Sequence, residues 1–195
     1  MNQTELVRKY VKHKIELLQR GLEKSSGKAE FALLRRGIGK QPGELPSLWG
    51  MLLEQMPEEL QGQGKQPSRG EWAVYIALTL YALHQQGQAV SMNHPGMTLG
   101  RALHAMVPAG NQDAEERILR RFNQMATSSD MEELSQHLRG IVELLRSKGI
   151  PLDYVDLAGD LYNYQLLDYQ NTVRLKWGRE YYYVKKQDNK EENHD

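Results

Sequence analysis

The segment that decides the fold is SRGEWAVYIALTLYALHQQ, residues 68–86. Its apolar residues fall on nearly every side of a helix, and a helix that is apolar all round is buried. No apolar run in the chain reaches the roughly 18–20 residues that span a bilayer. The segment therefore predicts a central core helix of a protein without a membrane span.

Amphipathic helical patterns lie on both sides of this segment. Apolar side chains recur three or four residues apart, and glycine, proline and capping residues mark the ends. Thr4 is the expected N-cap of the first helix, and Ser129 with Glu132 forms a predicted capping box. Residues 170–183 end in three consecutive tyrosines, which also favour a β-strand. The sequence therefore does not decide whether this segment is helical or irregular. The predicted helices cover residues 4–23, 28–36, 46–55, 68–86, 98–103, 111–126, 129–148 and 153–165.

These patterns predict an all-α protein, a compact helical bundle of about eight to ten helices. A chain of 195 residues suits one domain, residues 1–184, and two small helical lobes, 1–110 and 111–184, stay an open alternative. The charged residues 185–195 are expected to form a disordered tail.

Composition excludes several classes of site. The chain has no cysteine, which rules out disulfides, thiolate zinc sites, iron–sulfur clusters and cysteine nucleophiles. Gly39 and Lys40 do not form a phosphate loop, because Leu34 and Gln41 stand where that motif needs glycine and serine or threonine. The N-terminus has no signal-peptide pattern, so a cytoplasmic protein is expected, and no cofactor is predicted.

Asp153, Asp156 and Asp160 share one face of a predicted helix. Three carboxylates in this spacing could chelate Mg²⁺, so a small helical magnesium-dependent enzyme is an alternative function. No second acidic cluster is evident opposite them, and solvated surface or helix capping is the more ordinary role for such residues.

Basic residues are unevenly distributed although the net charge is zero. Residues 1–40 carry ten basic and four acidic side chains, whereas residues 122–160 carry three and seven. Arginines occur at helix ends and in loops, and guanidinium groups match phosphate geometry. These arginines could bind a sugar–phosphate backbone, or they could pair with neighbours such as Asp113, Glu115 and Glu116; spacing alone does not choose.

Short motifs in a fixed order resemble one family over residues 5–184. The motifs are LLRRG (33–37), PGE (42–44), EW (71–72), ALTLYALH (77–84), LGRA (99–102), RRFN (120–123), LDY (152–154), LAGDL (157–161) and VRLKWG (173–178). Each is weak alone, but together they resemble the CasB family, the small subunit of the type I-E CRISPR surveillance complex Cascade.

The resemblance implies an all-helical, non-catalytic subunit that binds the backbone of the crRNA and target DNA and stabilises the R-loop and the displaced non-target strand. Its implied partners are the large subunit and the backbone subunits of Cascade and a second copy of itself. The resemblance assigns nucleic-acid binding to five residues: Arg35, Arg36, Arg101, Arg120 and Arg121. Charge and spacing add seven more: Lys28, Lys40, Arg117, Arg139, Arg174, Lys176 and Arg179.

Overall fold

The computed structural model describes residues 2–22 and 24–191, and this part of the chain is all-helical. It contains no β-strand, only an isolated bridge between Asn93 and Leu152. The all-α prediction and the expected number of helices are confirmed. The nine α-helices are α1 (Gln3–Gly21), α2 (Ser25–Arg36), α3 (Trp49–Leu53), α4 (Arg69–His84), α5 (Leu99–Ala105), α6 (Gln112–Ala126), α7 (Met131–Lys148), α8 (Tyr154–Tyr164) and α9 (Leu167–Glu191). Short 3₁₀ helices cover Pro46–Leu48 and Glu58–Leu60.

Helix α4 forms the centre of the bundle. Nearly all of its residues are buried, and α1, α2, α7 and α8 pack around it. Its first turn is closed by Ser68 Oγ, which accepts from the Glu71 N–H, while the Glu71 carboxylate accepts from the Ser68 N–H. A segment that is apolar on every side thus forms the helix that is surrounded on every side.

Helix α9 packs along α5 and α8, and this contact joins the two halves of the chain. Gly100 of α5 lies so close to α9 that an added Cβ would sit 2.3 Å from the Trp177 carbonyl oxygen. Helices α7 and α8 likewise pack on α4. Contacts therefore cross residue 110, and the buried apolar side chains of both halves form one continuous cluster.

Two predicted helix starts are wrong in detail. Asn2, not Thr4, caps α1: its side chain accepts from the Thr4 N–H, and the Thr4 hydroxyl donates to Asn163. Asp130 caps α7 by accepting from the Glu133 N–H. Ser129 instead donates to the Glu133 carboxylate through both its N–H and its hydroxyl, so the predicted Ser129–Glu132 capping box does not form.

The segment whose structure was open, residues 170–183, is helical within α9. The same helix continues to Glu191, across part of the segment for which the sequence predicts a disordered tail. Residues 192–195, the rest of that segment, lie outside the described residues. Within the described chain, every helix is too short or too polar to span a bilayer.

Candidate nucleic-acid interface

The largest group of predicted binding residues lies on α2, α6, α7 and the loop after α2. Two side-chain contacts join α7 to its neighbours: Gln41 of the loop donates to Glu132 near the start of α7. The Arg121 guanidinium of α6 lies over Gly140 in the middle of α7, 3.6 Å from where a Cβ would sit. We call the solvent-facing side of these three helices and the loop 37–44 the α2–α7–α6 face.

At the α2 edge, two arginines meet the C-terminal end of the central helix. Arg35 donates to the Ala82 carbonyl at 3.4 Å, and Arg146 donates to the Leu83 carbonyl at 3.5 Å and to Gln86 at 3.0 Å. The last turn of a helix has unpaired carbonyls and carries the negative end of the dipole, which attracts cations. Burial and then the charge of Arg146 lower the pKa of Arg35, although a guanidinium stays protonated.

At the α6 edge, three exposed arginines follow one another around the helix. Arg117, Arg120 and Arg121 point outward while Ile118, Phe122 and Met125 of the same helix are buried. Among the residues that the structure describes, none of the three arginines forms an ion pair with a carboxylate. The spacing had left open whether these arginines pair with acidic neighbours. In the described part of the chain they do not, and their guanidinium groups face solvent.

The remaining predicted cations of this face are exposed or weakly paired. Arg139 on α7 pairs with Glu143 at 3.1 Å, and Lys40 in the loop pairs with Glu44. The Lys40 ammonium lowers the pKa of Glu44. Exposed pairs of this kind are weak, so a phosphate can displace either carboxylate at little cost. Lys28 and Arg36 of α2 are exposed.

Four predicted residues lie outside the α2–α7–α6 face, on α5 and α9. Arg101 is exposed and donates to the Gly96 carbonyl at 3.3 Å, and Arg179 is exposed. Arg174 donates to the Tyr164 hydroxyl at 3.1 Å and lies over the Tyr164 ring. Lys176 is held by carboxylates: its Nζ is 2.6 Å from Asp156 and 2.7 Å from Asp160. The structure therefore gives Arg174 and Lys176 partners within the protein.

The three aspartates considered for a magnesium site all serve the fold. Asp153 caps α8 and accepts from the Gly96 N–H at 2.8 Å. Asp156 pairs with Arg8 at 3.1 Å as well as with Lys176. Asp160 is buried and also accepts from the indole N–H of Trp177 at 2.7 Å. Burial, and secondarily the Asp156 charge, raises the pKa of Asp160 to about 6.

These pairings do not favour the magnesium-enzyme alternative. Carboxylates that bind Mg²⁺ must turn their oxygens toward the ion and toward water. Here Asp156 and Asp160 turn them toward one ammonium group instead. No group of three side chains suited to hold a metal ion is found in the described part of the chain.

The profile of the family described as CRISPR-associated protein Cse2 matches residues 30–182, which include nearly all of the α2–α7–α6 face. The chain belongs to the Cse2 family. The resemblance to CasB is confirmed at the same point, because crystal structures of CasB proteins share this fold. The family is CRISPR-associated.

Three solved structures are similar over most of the chain. CasB from Thermobifida fusca is 34% identical, with a TM-score of 0.77 over 90% of this chain and 97% of that chain. A Cse2-family protein from Thermus thermophilus is 24% identical, with a TM-score of 0.65 over 88% and 97%. CasB from M. ruber is 23% identical, with a TM-score of 0.66 over 91% and 97%. The similarity to the T. thermophilus and M. ruber proteins shows the fold alone. No curated protein matches the chain in sequence at a significant level.

Sequence reasoning missed Arg146 as part of the candidate interface. Nothing in its local pattern distinguishes it from an ordinary cation in the last turn of a helix. Its position beside Arg35 depends on how α2 and α7 flank the end of α4, which is a tertiary contact. The one signal in the sequence was that Arg146 lies three residues before Gly149, the glycine that ends α7. This places the arginine at a helix end but does not identify its neighbours.

Proposed function

We propose that this Cse2-family chain is a non-catalytic subunit of a type I-E Cascade complex in the cytoplasm. It binds the sugar–phosphate backbone of the crRNA and target DNA without reading sequence, and it stabilises the R-loop and the displaced strand. The proposal includes docking to the other Cascade subunits and to a second copy of the chain. The observation that carries it is the set of arginines on the α2–α7–α6 face that have no carboxylate partner in the described part of the chain, above all Arg117, Arg120 and Arg121.

The chemistry of this face suits phosphate better than base edges. Guanidinium groups donate in a planar fork that fits two phosphate oxygens, whereas base-specific reading needs a side chain inserted into a groove. Arg117 and Arg121 are one helical turn apart on α6, and Arg121 lies over Gly140 of α7, the residue after Arg139. An extended strand can therefore contact several of these cations in succession. Such binding is sequence-independent and weakens as salt rises.

We propose a non-catalytic role because the side chains that could act in catalysis are already bound to other groups of the protein. The carboxylates of Asp156 and Asp160 are bound by Arg8, Lys176 and Trp177. The buried histidine, His84, contacts the Tyr154 hydroxyl within the core. Neither arrangement offers an acid, base or nucleophile to a substrate, and the proposed role needs none.

The test is binding of single-stranded DNA by a variant that loses two cations of the face, Arg117→Gln/Arg121→Gln. Each lost phosphate contact on a single strand reduces the slope of log affinity against log salt by about 0.7, so the double variant should lose about 1.4. Fluorescence anisotropy with a labelled oligothymidine and a mixed-sequence strand of equal length measures both the slope and the indifference to sequence.

The matched control is Lys12→Gln/Lys65→Gln, which removes the same charge from exposed positions on α1 and in the loop before α4. The control should bind with nearly the parental slope. Equal losses in both double variants would show a response to net charge alone, and parental binding by the arginine variant would refute the assigned face. In a reconstituted complex, the arginine variant should shorten the lifetime of the R-loop, and an unchanged lifetime would contradict the proposed role.

A further inference from the structure

A cavity of about 410 Å³ opens between α1, α2 and α3, on the elements that precede the central helix. Its apolar lining comes from aliphatic side chains of four helices, Leu17, Leu18, Leu34, Met51 and Leu78. We call it the α1–α3 cavity. Its volume lies in the range of about 300–1,000 Å³ that is common for small-molecule sites.

Lys14 is the unusual residue of this lining. Only 9% of its surface is exposed, and its ammonium group lies 5.3 Å from the centre of the Tyr10 ring. Within the described part of the chain, Lys14 makes no hydrogen bond or ion pair. Burial lowers the pKa of Lys14, while the charge of Glu54 partly opposes that effect. A cation at a largely buried position with no hydrogen-bonded protein partner can be stabilised further by an anion in the cavity.

The other charges around the cavity are consistent with an anionic ligand. Arg20 and Lys24 add two cations at the rim, against the carboxylates of Glu30 and Glu54. In the described part of the chain, Arg20 forms an ion pair with the partly exposed Glu16 at 3.9 Å, which is a weak pair. The described lining includes no aromatic side chain on which a nucleobase could stack. The lining therefore suits an aliphatic body with an anionic head group.

We propose that the α1–α3 cavity binds a small organic anion, with its head group at Lys14 and a short aliphatic chain against the leucines. The Lys14 ammonium donates to the head group, and Arg20 and Lys24 supply the surrounding positive potential. The lining of the cavity includes none of the arginines of the α2–α7–α6 face. The proposal for this cavity can therefore be tested independently of nucleic-acid binding.

The experiment uses the full chain with isotope-labelled methionine methyl groups and octanoate as the probe. Met51 lines the cavity, whereas Met125 is fully buried on α6 and serves as the internal reference. Octanoate should shift the Met51 methyl resonance in a saturable way and leave Met125 unchanged. Octyl phosphate, titrated in parallel, identifies which anionic head binds more tightly. Octanol and octylammonium, which have the same chain without the negative charge, should not saturate the site.

The variant Lys14→Met keeps nearly the length of the side chain and removes the charge, so it should fold as well as the parent. We expect its affinity for octanoate to fall by about tenfold or more, which corresponds to ~1.4 kcal/mol. Lys12→Met removes a charge from an exposed position of the same helix and should leave octanoate binding unchanged. The proposal is overturned if Lys14→Met binds octanoate like the parent, if octylammonium binds equally well, or if neither anion moves Met51.

Discussion

The crossing of α5 and α9 makes a sharp prediction for Gly100. A Cβ at this position would lie 2.3 Å from the Trp177 carbonyl oxygen and 2.8 Å from the Tyr181 nitrogen. Both are backbone atoms of α9, so no change of side-chain rotamer can relieve the overlap. Gly100→Ala therefore forces the two helices apart along a contact that joins the two halves of the chain.

The size of the effect follows from two opposing contributions. Overpacking costs roughly 1–3 kcal/mol, and a clash with backbone belongs at the upper end of that range. Alanine recovers about 1 kcal/mol because it has a higher helix propensity than glycine. The net loss in unfolding free energy is then ~2 kcal/mol. For a chain of this length each kcal/mol lowers Tm by about 2–4 °C, so Tm should fall by about 4–8 °C.

Thermal and urea unfolding, followed by far-UV circular dichroism, measure this loss. The matched control is Gly178→Ala on α9, where an added Cβ would meet nothing within 4 Å. That variant gains helix propensity without a clash and should be more stable than the parent by ~1 kcal/mol. If Gly100→Ala were as stable as Gly178→Ala, the close approach of α5 and α9 would be incorrect.

Three further predictions concern buried charges and a helix end. Burial lowers the pKa of His84 to about 4, so its contribution to stability is complete above its ordinary pKa near 6.5 and is lost as pH falls from 6.5 to 4. That loss, at most ~3 kcal/mol in unfolding free energy measured against pH, should be missing in His84→Leu. Asp160→Ala removes one of the two carboxylates that bind Lys176, and it removes the acceptor of the Trp177 N–H. The free energy of unfolding, measured with urea, should fall by about 3–5 kcal/mol. The double variant Asp160→Ala/Lys176→Met should recover part of that loss; no recovery would mean that the buried charges do not interact. Gly149 ends α7 with a φ of 66°, so Gly149→Ala should lower the unfolding free energy by about 1–2 kcal/mol, whereas an unchanged Tm would contradict the left-handed cap.

The fold was predictable because its main elements carry strong local patterns. A segment that is apolar on all sides, such as α4, can only be buried, and the stripe of apolar residues on α7 fixes which side faces it. Helix starts were less certain where two capping residues compete. Ser129 and Asp130 can each accept a backbone N–H, and only the chain geometry after α6 shows that Asp130 does so.

The candidate site was less predictable than the fold. The spacing of Arg117 and Arg121 predicted that they share one face of α6, and the structure shows both exposed. Lys176 has an equally ordinary sequence context, but its partners Asp156 and Asp160 lie on another helix, α8. Arg146 enters the site for the same reason, since its neighbour Arg35 is far away in sequence. Charge patterns identify cations, whereas tertiary packing decides which of them have protein partners.

The paired arginines at the end of α4 have a mechanical consequence. Arg35 and Arg146 are bound to carbonyl oxygens of the helix around which the bundle is built. If a polyanion binds as proposed and draws these guanidinium groups toward solvent, the two hydrogen bonds to the carbonyls are lost. Binding at the surface would in that case be thermodynamically linked to the end of the innermost helix.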